Sequence, residues 1–174
     1  MSPGAPMDAL IPFDPNESTA LRRAFGRFGT GVTVITIAAP EGPIGMTANS
    51  FASVSLDPPL VVWSAAHRSH RHDAFVSAKH FCIHILSADQ YDLAMHFASR
   101  GHDFSQLSWT NGPTGAPMLP GCLATLHCAS HAVHPAGDHS LIIGQVTHAA
   151  NREDHAHGLL FEQGRFGRFS PRDQ

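Results

Sequence analysis

Charge is what this chain has least of. Asp, Glu, Lys and Arg together make up 14% of its 174 residues, where about a quarter is usual for a soluble domain. So little charge points to a surface partly covered by a partner. Ten of the eleven basic residues are Arg, Lys79 is the one lysine, and the formal net charge is −3. The basic residues are scattered, so there is no footprint for a nucleic-acid backbone. No apolar run approaches the ~20 residues of a membrane helix. Met1 to Pro15 lacks both the basic region and the apolar stretch of a secretory signal. Cysteine is equally sparse. Cys82, Cys122 and Cys128 are odd in number and form no C-x-x-C, which argues against a disulfide framework or a thiolate zinc site. The expectation is reduced thiols in a cytoplasmic protein.

What is present is a core. Apolar residues are 43% of the chain, enough for one domain, expected over residues 14–174 with a loose Pro- and Gly-containing arm at 1–13. No internal repeat is visible. Asp14-Pro15-Asn16-Glu17 reads as a capped helix start, with the helix running to about Phe28. Val32–Ala38 is β-branched and reads as a strand, turning through Pro40–Pro43 into a second strand over Ile44–Val54. Leu60–Trp63 reads as a buried strand, Ser69–Ala78 as a short helix and Phe81–Leu86 as a strand. Ser87 and Gln90 form a capping box for a helix whose Tyr91, Ala94, Met95 and Ala98 share a face. Residues 101–121 read mostly as loop. Cys122–Ala129 alternates with period two, Ser140–Ala149 gives another strand, and Leu159–Phe161 with Arg165–Phe169 a closing pair. Many strands and few helices predict a mainly β fold, a barrel with α decoration.

The glycines Gly26, Gly29 and Gly31 do not make a dinucleotide fold. A helix precedes them and a strand follows, the reverse of the order that cradles a diphosphate. The fourteen histidines invite a metal reading, and His67, His70 and His72 do cluster. Yet there is no H-E-x-x-H, and His127 with His131 stands too far apart for chelation on a strand. Most read as surface or satisfied core histidines, and no metal site is expected.

Gly45-Met46-Thr47-Ala48-Asn49-Ser50-Phe51-Ala52-Ser53-Val54-Ser55-Leu56-Asp57-Pro58-Pro59 is the most informative run. It is uncharged until Asp57 and dense in hydroxyl and amide groups, which suits a flat heteroaromatic ring better than an anion or a metal. Its bland alternative is a polar outward strand with a bulge. Ser64–His72 leads from a strand end into a helix start, where Arg68, Ser69 and Arg71 make a plausible phosphate seat; the alternative is a solvated basic turn. Gly137-Asp138-His139 before Leu141–Val146 reads as a hairpin turn that places an imidazole, with Gly144 allowing close backbone approach.

With Thr30-Gly31-Val32-Thr33-Val34 ahead of that run and Gly137-Asp138-His139 after it, the chain resembles, over about residues 18–169, the short-chain flavin reductases that feed two-component monooxygenases. The resemblance implies an FMN-binding split β-barrel, Greek-key-like and antiparallel, that forms a homodimer. It implies an NAD(P)H:flavin oxidoreductase using FMN or FAD, with NADH or NADPH as co-substrate and reduced flavin passed to a partner monooxygenase. Thr47, Ala48, Asn49 and Ser50 would hold the ring. Arg68, Ser69 and His70 would lie at the phosphate, and His139 would place the nicotinamide. Thr30, Met46, Ser53, Ser64, Phe97, Arg100 and Phe166 complete the implied cofactor contacts. Two departures stand out. Asp103 occupies a position the family usually makes basic, with Arg100 as a possible substitute, and the family's closing Tyr-x-x-Gly-x-Tyr is Phe161-Glu162-Gln163-Gly164-Arg165-Phe166. Rival readings are a flavin-binding electron carrier or pyridoxamine-phosphate-oxidase-like protein of the same fold, and a His-rich metal-binding protein.

Overall fold

β-Branched residues after Gly31 build a doubly paired strand next to the edge of a sheet, and its two faces carry separate cores. The structure, a computed structural model, describes residues 10–170; the expected arm over 1–13 falls largely outside them. Helix α1 (Ser18–Phe25) precedes strands β1 (Thr30–Gly31), β2 (Thr33–Ala39), β3 (Gly42–Ala48), β4 (Ala52–Leu56) and β5 (Pro59–Ala66). Helix α2 (His72–Ser77), β6 (His80–Ile85), a 3-10 turn at Ala88–Gln90 and helix α3 (Tyr91–Ser99) follow. The short pair β7 (Thr110–Asn111) and β8 (Pro117–Met118) leads to the long β9 (Ala124–Ala136) and β10 (His139–Asn151). Strands β11 (Leu159–Glu162) and β12 (Arg165–Arg168) complete the fold.

Seven strands pair antiparallel in the order β3-β2-β6-β9-β10-β5-β4. The fold is mainly β, as expected, but the barrel is not closed: β3 and β4 are the two edges. These edges are nevertheless consecutive in the chain. From Ala48 to Ala52 is four Cα steps, at most about 14 Å, so the sheet must curl until its edges nearly meet. The curl is helped by register shifts in β10 at Ile143/Gly144 and Val146/His148, since bulges bend and twist a strand. Gly144 is required there, because a Cβ would run into the Phe81 ring and Cys128. What the pattern read as one strand over Ile44–Val54 is thus two, broken at Asn49–Phe51, and this three-residue arch crosses the split.

Inside the curl lie Ile35, Ile37, Met46, Trp63, Phe75, Phe81, Ile83 and Ile142. Val32, Val34, Leu86, Ala94, Phe97, Phe104, Leu119 and Leu159 form a second core around α3. The alternation of Val34 and Ile35 between the two is the period of a strand with both faces covered.

Other boundaries move for local reasons. Asp14 does not cap α1. Its carboxylate takes the Asn16 N–H at 2.8 Å and its carbonyl the Glu17 N–H at 2.9 Å, a turn that delays the helix to Ser18. Helix α2 starts at His72 rather than Ser69, because Ser69 N–H bonds Ala66 O and His72 N–H bonds Ser69 O as successive turns. Gln90 Oε1 does accept the Ser87 N–H, at 3.1 Å. Strand β9 runs on to Ala136, past the expected end at Ala129. Beyond that point it pairs only with β10, so Pro135 needs no ladder partner on its other side.

One buried polar residue joins the two halves of this core. His84 donates from Nδ1 to Val34 O at 3.0 Å and accepts the Leu119 N–H at Nε2, 3.1 Å away. Both ring nitrogens are used only if the ring is neutral. Burial, with His127 nearby as a smaller cause, pushes its pKa down to about 4. The folded value lies below the unfolded one of ~6.5, so this contribution is complete above about pH 6.5 and is lost as pH falls towards 4. At most ~3 kcal/mol is at stake over those 2.5 units. In urea unfolding, His84→Gln should lower stability at pH 7 and flatten the fall between pH 6.5 and 4 by about one proton relative to wild type. Parallel profiles would show that His84 titrates freely.

Candidate functional site

The arch Asn49–Phe51 is held from three sides by short polar side chains. Thr33 Oγ1 donates to Ala48 O at 2.7 Å, and Thr47 Oγ1 donates to Ala94 O of α3 at 2.6 Å. Asn49 Nδ2 donates to Thr30 Oγ1 at 3.2 Å, linking the arch to β1. Ser50 Oγ accepts the Ser64 N–H at 3.0 Å, linking it to β5. Asn49 and Ser50 are exposed, and a Cβ at Gly31 would meet open space. The result is an uncharged, polar, rigidly held rim. Ser53 lies just beyond it, exposed on β4 opposite Val61.

Two residues past Ser64, at about 3.3 Å per residue, β5 ends at Ala66 and the chain turns through His67–Arg71. Arg71 governs this turn. Its Nη1 donates to Gly45 O at 2.8 Å and Phe97 O at 2.7 Å, and its Nη2 to Ala98 O at 3.2 Å. Arg71, read from sequence as half of a phosphate seat, is therefore occupied by main-chain carbonyls; a partly buried guanidinium beside the C-terminal end of a helix caps its orphan acceptors. Ser69 Oγ accepts the Arg71 N–H at 3.3 Å. Arg68 and His70 are exposed.

The third component is the β9–β10 hairpin. Its two-residue turn is Gly137, at φ 64°, and Asp138, the left-handed conformation that glycine favours. His139 faces Ala66 across the ladder, and the His67 N–H donates to Asp138 O at 2.9 Å. His139 Nδ1 lies 2.7 Å from Asp138 Oδ1. The hydrogen bond and charge of His139, with Arg68 as a smaller cause, hold the Asp138 carboxyl below its ordinary range. Arch, loop and hairpin thus meet at the end of β5.

The remaining residues named from sequence divide cleanly. Met46 is in the inner core and Phe97 in the outer one, its ring against Gly45. Neither presents a side chain at the rim. Phe166 packs on Phe161 and Tyr91 at ring-centroid distances of 4.9 and 5.1 Å. It sits on the three-stranded sheet β1-β11-β12, two strands from Thr30. Arg100 is exposed after α3, beside Gly101, whose carbonyl accepts the Gly45 N–H at 2.7 Å. Asp103 is satisfied locally, taking the Ser105 Oγ–H at 2.7 Å and its N–H at 3.2 Å. His67 and His72 both aim at Ser140 Oγ. Nothing in the sequence pattern marks that convergence, since Ser140 is 68 positions from His72.

Residues 25–170 match the family described as flavin reductase like domain. The chain belongs to that family. It is 54% identical over 153 residues to the FMN reductase (NADH) SmoA of Agrobacterium fabrum, covering 88% of this chain and 87% of SmoA. The Streptomyces globisporus C-1027 NADH:FAD oxidoreductase SgcE6, solved in complex with NAD and FAD fragments, superposes with a TM-score of 0.87 at 40% identity, over 93% of this chain and 98% of that one. BorF, the flavin reductase component of a bacterial two-component tryptophan halogenase, gives 0.82 at 36% identity over 90% and 100%. In this flavin reductase-like chain the glycines around Arg71 are packing partners. A Cβ at Gly101 would meet the Arg71 side chain and the Gly45 carbonyl. Gly101→Ala should cost about 1–3 kcal/mol, read as a denaturant midpoint. The cost should shrink in an Arg71→Ala background, where half of the obstruction is gone. Strict additivity would separate Gly101 from the clamp.

Proposed function

We propose that this chain is a flavin reductase that oxidises NADH and reduces FMN or FAD, releasing reduced flavin to a flavin-dependent monooxygenase or a similar two-component partner. The observation that carries the reading is the uncharged polar rim at the end of β5, standing between an exposed arginine in the loop and a half-buried histidine on the hairpin. The residues present fit a flavin. Asn49 and the main chain of the arch would meet the neutral ring edge. The hydroxyls of Thr47 and Ser50 are already engaged, so they shape the rim instead of binding. Arg68, exposed and flanked by Ser69 and His70, would balance the phosphate. When bound, flavin supplies the two-electron acceptor for a nicotinamide hydride. The chain's own work is orientation and electrostatics, without an obligatory acid or base.

The same proposal includes NADPH as a second co-substrate, a cytoplasmic location and a homodimer. Supporting the dimer, Leu56 on edge strand β4 is 95% exposed, Val54 beside it is exposed, and α1 buries none of its residues. No described helix is long and apolar enough to cross a membrane.

The testing experiment is steady-state oxidation of NADH and NADPH with FMN, FAD and riboflavin in turn. Oxidation should depend strictly on flavin, and flavin-loaded protein that consumes neither nucleotide would contradict the reading. His139→Ala should raise the KM for NADH about tenfold, the weight of one lost contact of ~1.4 kcal/mol, while flavin affinity stays within a factor of two. A lower melting temperature with unaltered kinetics would reduce His139 to a turn residue.

A further inference from the structure

We propose that His67, Ser140, His72 and Asp73 form one hydrogen-bonded relay that positions His139 for nicotinamide recognition, an inference resting on the reading of His139 above. Ser140 follows His139 on β10, and the alternation of a strand sends their side chains to opposite faces. His139 stands at the open end, while Ser140 turns inward and is 6% exposed. Ser140 Oγ lies 2.9 Å from His72 Nε2 and 3.2 Å from His67 Nε2. The two imidazoles meet edge to face, with centroids 4.9 Å apart.

A hydroxyl has one proton, so Ser140 donates to one imidazole and accepts from the other. Asp73 sets the direction. Its Oδ1 is 2.8 Å from His72 Nδ1, which places the His72 proton on Nδ1 and leaves Nε2 bare to accept the Ser140 hydroxyl. His67 must then keep its proton on Nε2 and donate it to Ser140. The two histidines are held in opposite tautomers by a single oxygen.

The acid–imidazole–hydroxyl order is that of a hydrolase nucleophile, but Ser140 is buried and a second imidazole occupies its oxygen. It positions and does not attack. The relay ties three segments together: the turn after β5 through His67, the first turn of α2 through His72 and Asp73, and the hairpin through Ser140. The hairpin tip itself is exposed from Pro135 to Asp138. Beyond the β-ladder, the hydrogen bonds among the described residues that fasten it to the loop are those of the relay and the His67 N–H to Asp138 O bond. The orientation of His139 towards that loop therefore depends on Ser140.

The test uses full-length wild type, Ser140→Ala, Ser140→Thr and His139→Ala. In apo protein at mildly alkaline pH, imidazole 15N shifts should show His72 protonated on Nδ1 and His67 on Nε2. Ser140→Ala should release His67 into a tautomer mixture and raise the KM for NADH about five- to tenfold, with FMN affinity changed less than twofold. Ser140→Thr, which keeps the hydroxyl, should restore both. If Ser140→Ala does not fold, Asp73→Ala, at a fully exposed side chain, should release the His72 tautomer and raise the KM in the same direction. Identical tautomers in the wild type overturn the relay, as does an unchanged KM in Ser140→Ala when His139→Ala raises it. An unchanged KM in His139→Ala overturns the reading of His139 and, with it, the positioning role.

Discussion

The guanidinium of Arg71 donates to the carbonyls of Gly45, Phe97 and Ala98, and through them the loop after β5, edge strand β3 and the end of α3 become one body. These acceptors are the orphans left by a sheet edge, at Gly45, and by a helix end, at Phe97 and Ala98. Burial lowers the arginine's pKa, yet a guanidinium stays charged in any protein setting, so the junction holds across the working pH range. Its geometry explains neighbours that otherwise look arbitrary. Gly101 leaves room for the Arg71 stem, and Gly45 leaves room for the Phe97 ring over the same strand. The arch begins four residues beyond Gly45, so its height above β5 is set by a residue that never reaches the rim.

Low charge serves the same site. The hydroxyls around the arch bond main-chain groups of neighbouring elements, and the Asn49 amide bonds the Thr30 hydroxyl, giving stiffness without a fixed charge facing the opening. A carboxylate there would oppose electrons arriving on a reduced ring, with an interaction of about 1 kcal/mol or more once water is excluded. The charges that do occur are set back: Arg68 in the loop, and Asp73 and Asp138 each beside a histidine. The open split between β3 and β4 fits a protein whose product must leave intact.

Much of this was legible in the sequence. The β-branched run of β2, the Gln90 contact that starts the 3-10 turn leading into α3, the Gly137–Asp138 turn and the uncharged run of the arch all announce themselves through local chemistry. What was hidden depends on distant partners. Small polar residues from Thr47 to Ser53 keep a strand-like rhythm, so the break at Asn49 is visible only once Ser64 and Thr30 are beside it. Arg68 and Arg71 look alike in sequence; only the carbonyls of β3 and α3 decide that one is structural and the other free. Asp14 has the right spacing for a cap but bonds Asn16 first. Met46 and Phe97 belong to β3 and α3, beside the arch, while strand and helix periodicity turn their side chains into the cores.

Hydrogen exchange on the full chain, with and without saturating FMN, tests the central claim most directly. If the rim at the end of β5 is the flavin seat, amides of Thr47–Phe51 and of the Ser64–His72 segment should slow together, while the surface lined by Arg22, Arg23 and Arg27 beside Phe161 stays unchanged. Protection confined to that arginine-lined surface, with the arch exchanging as in apo protein, would contradict it.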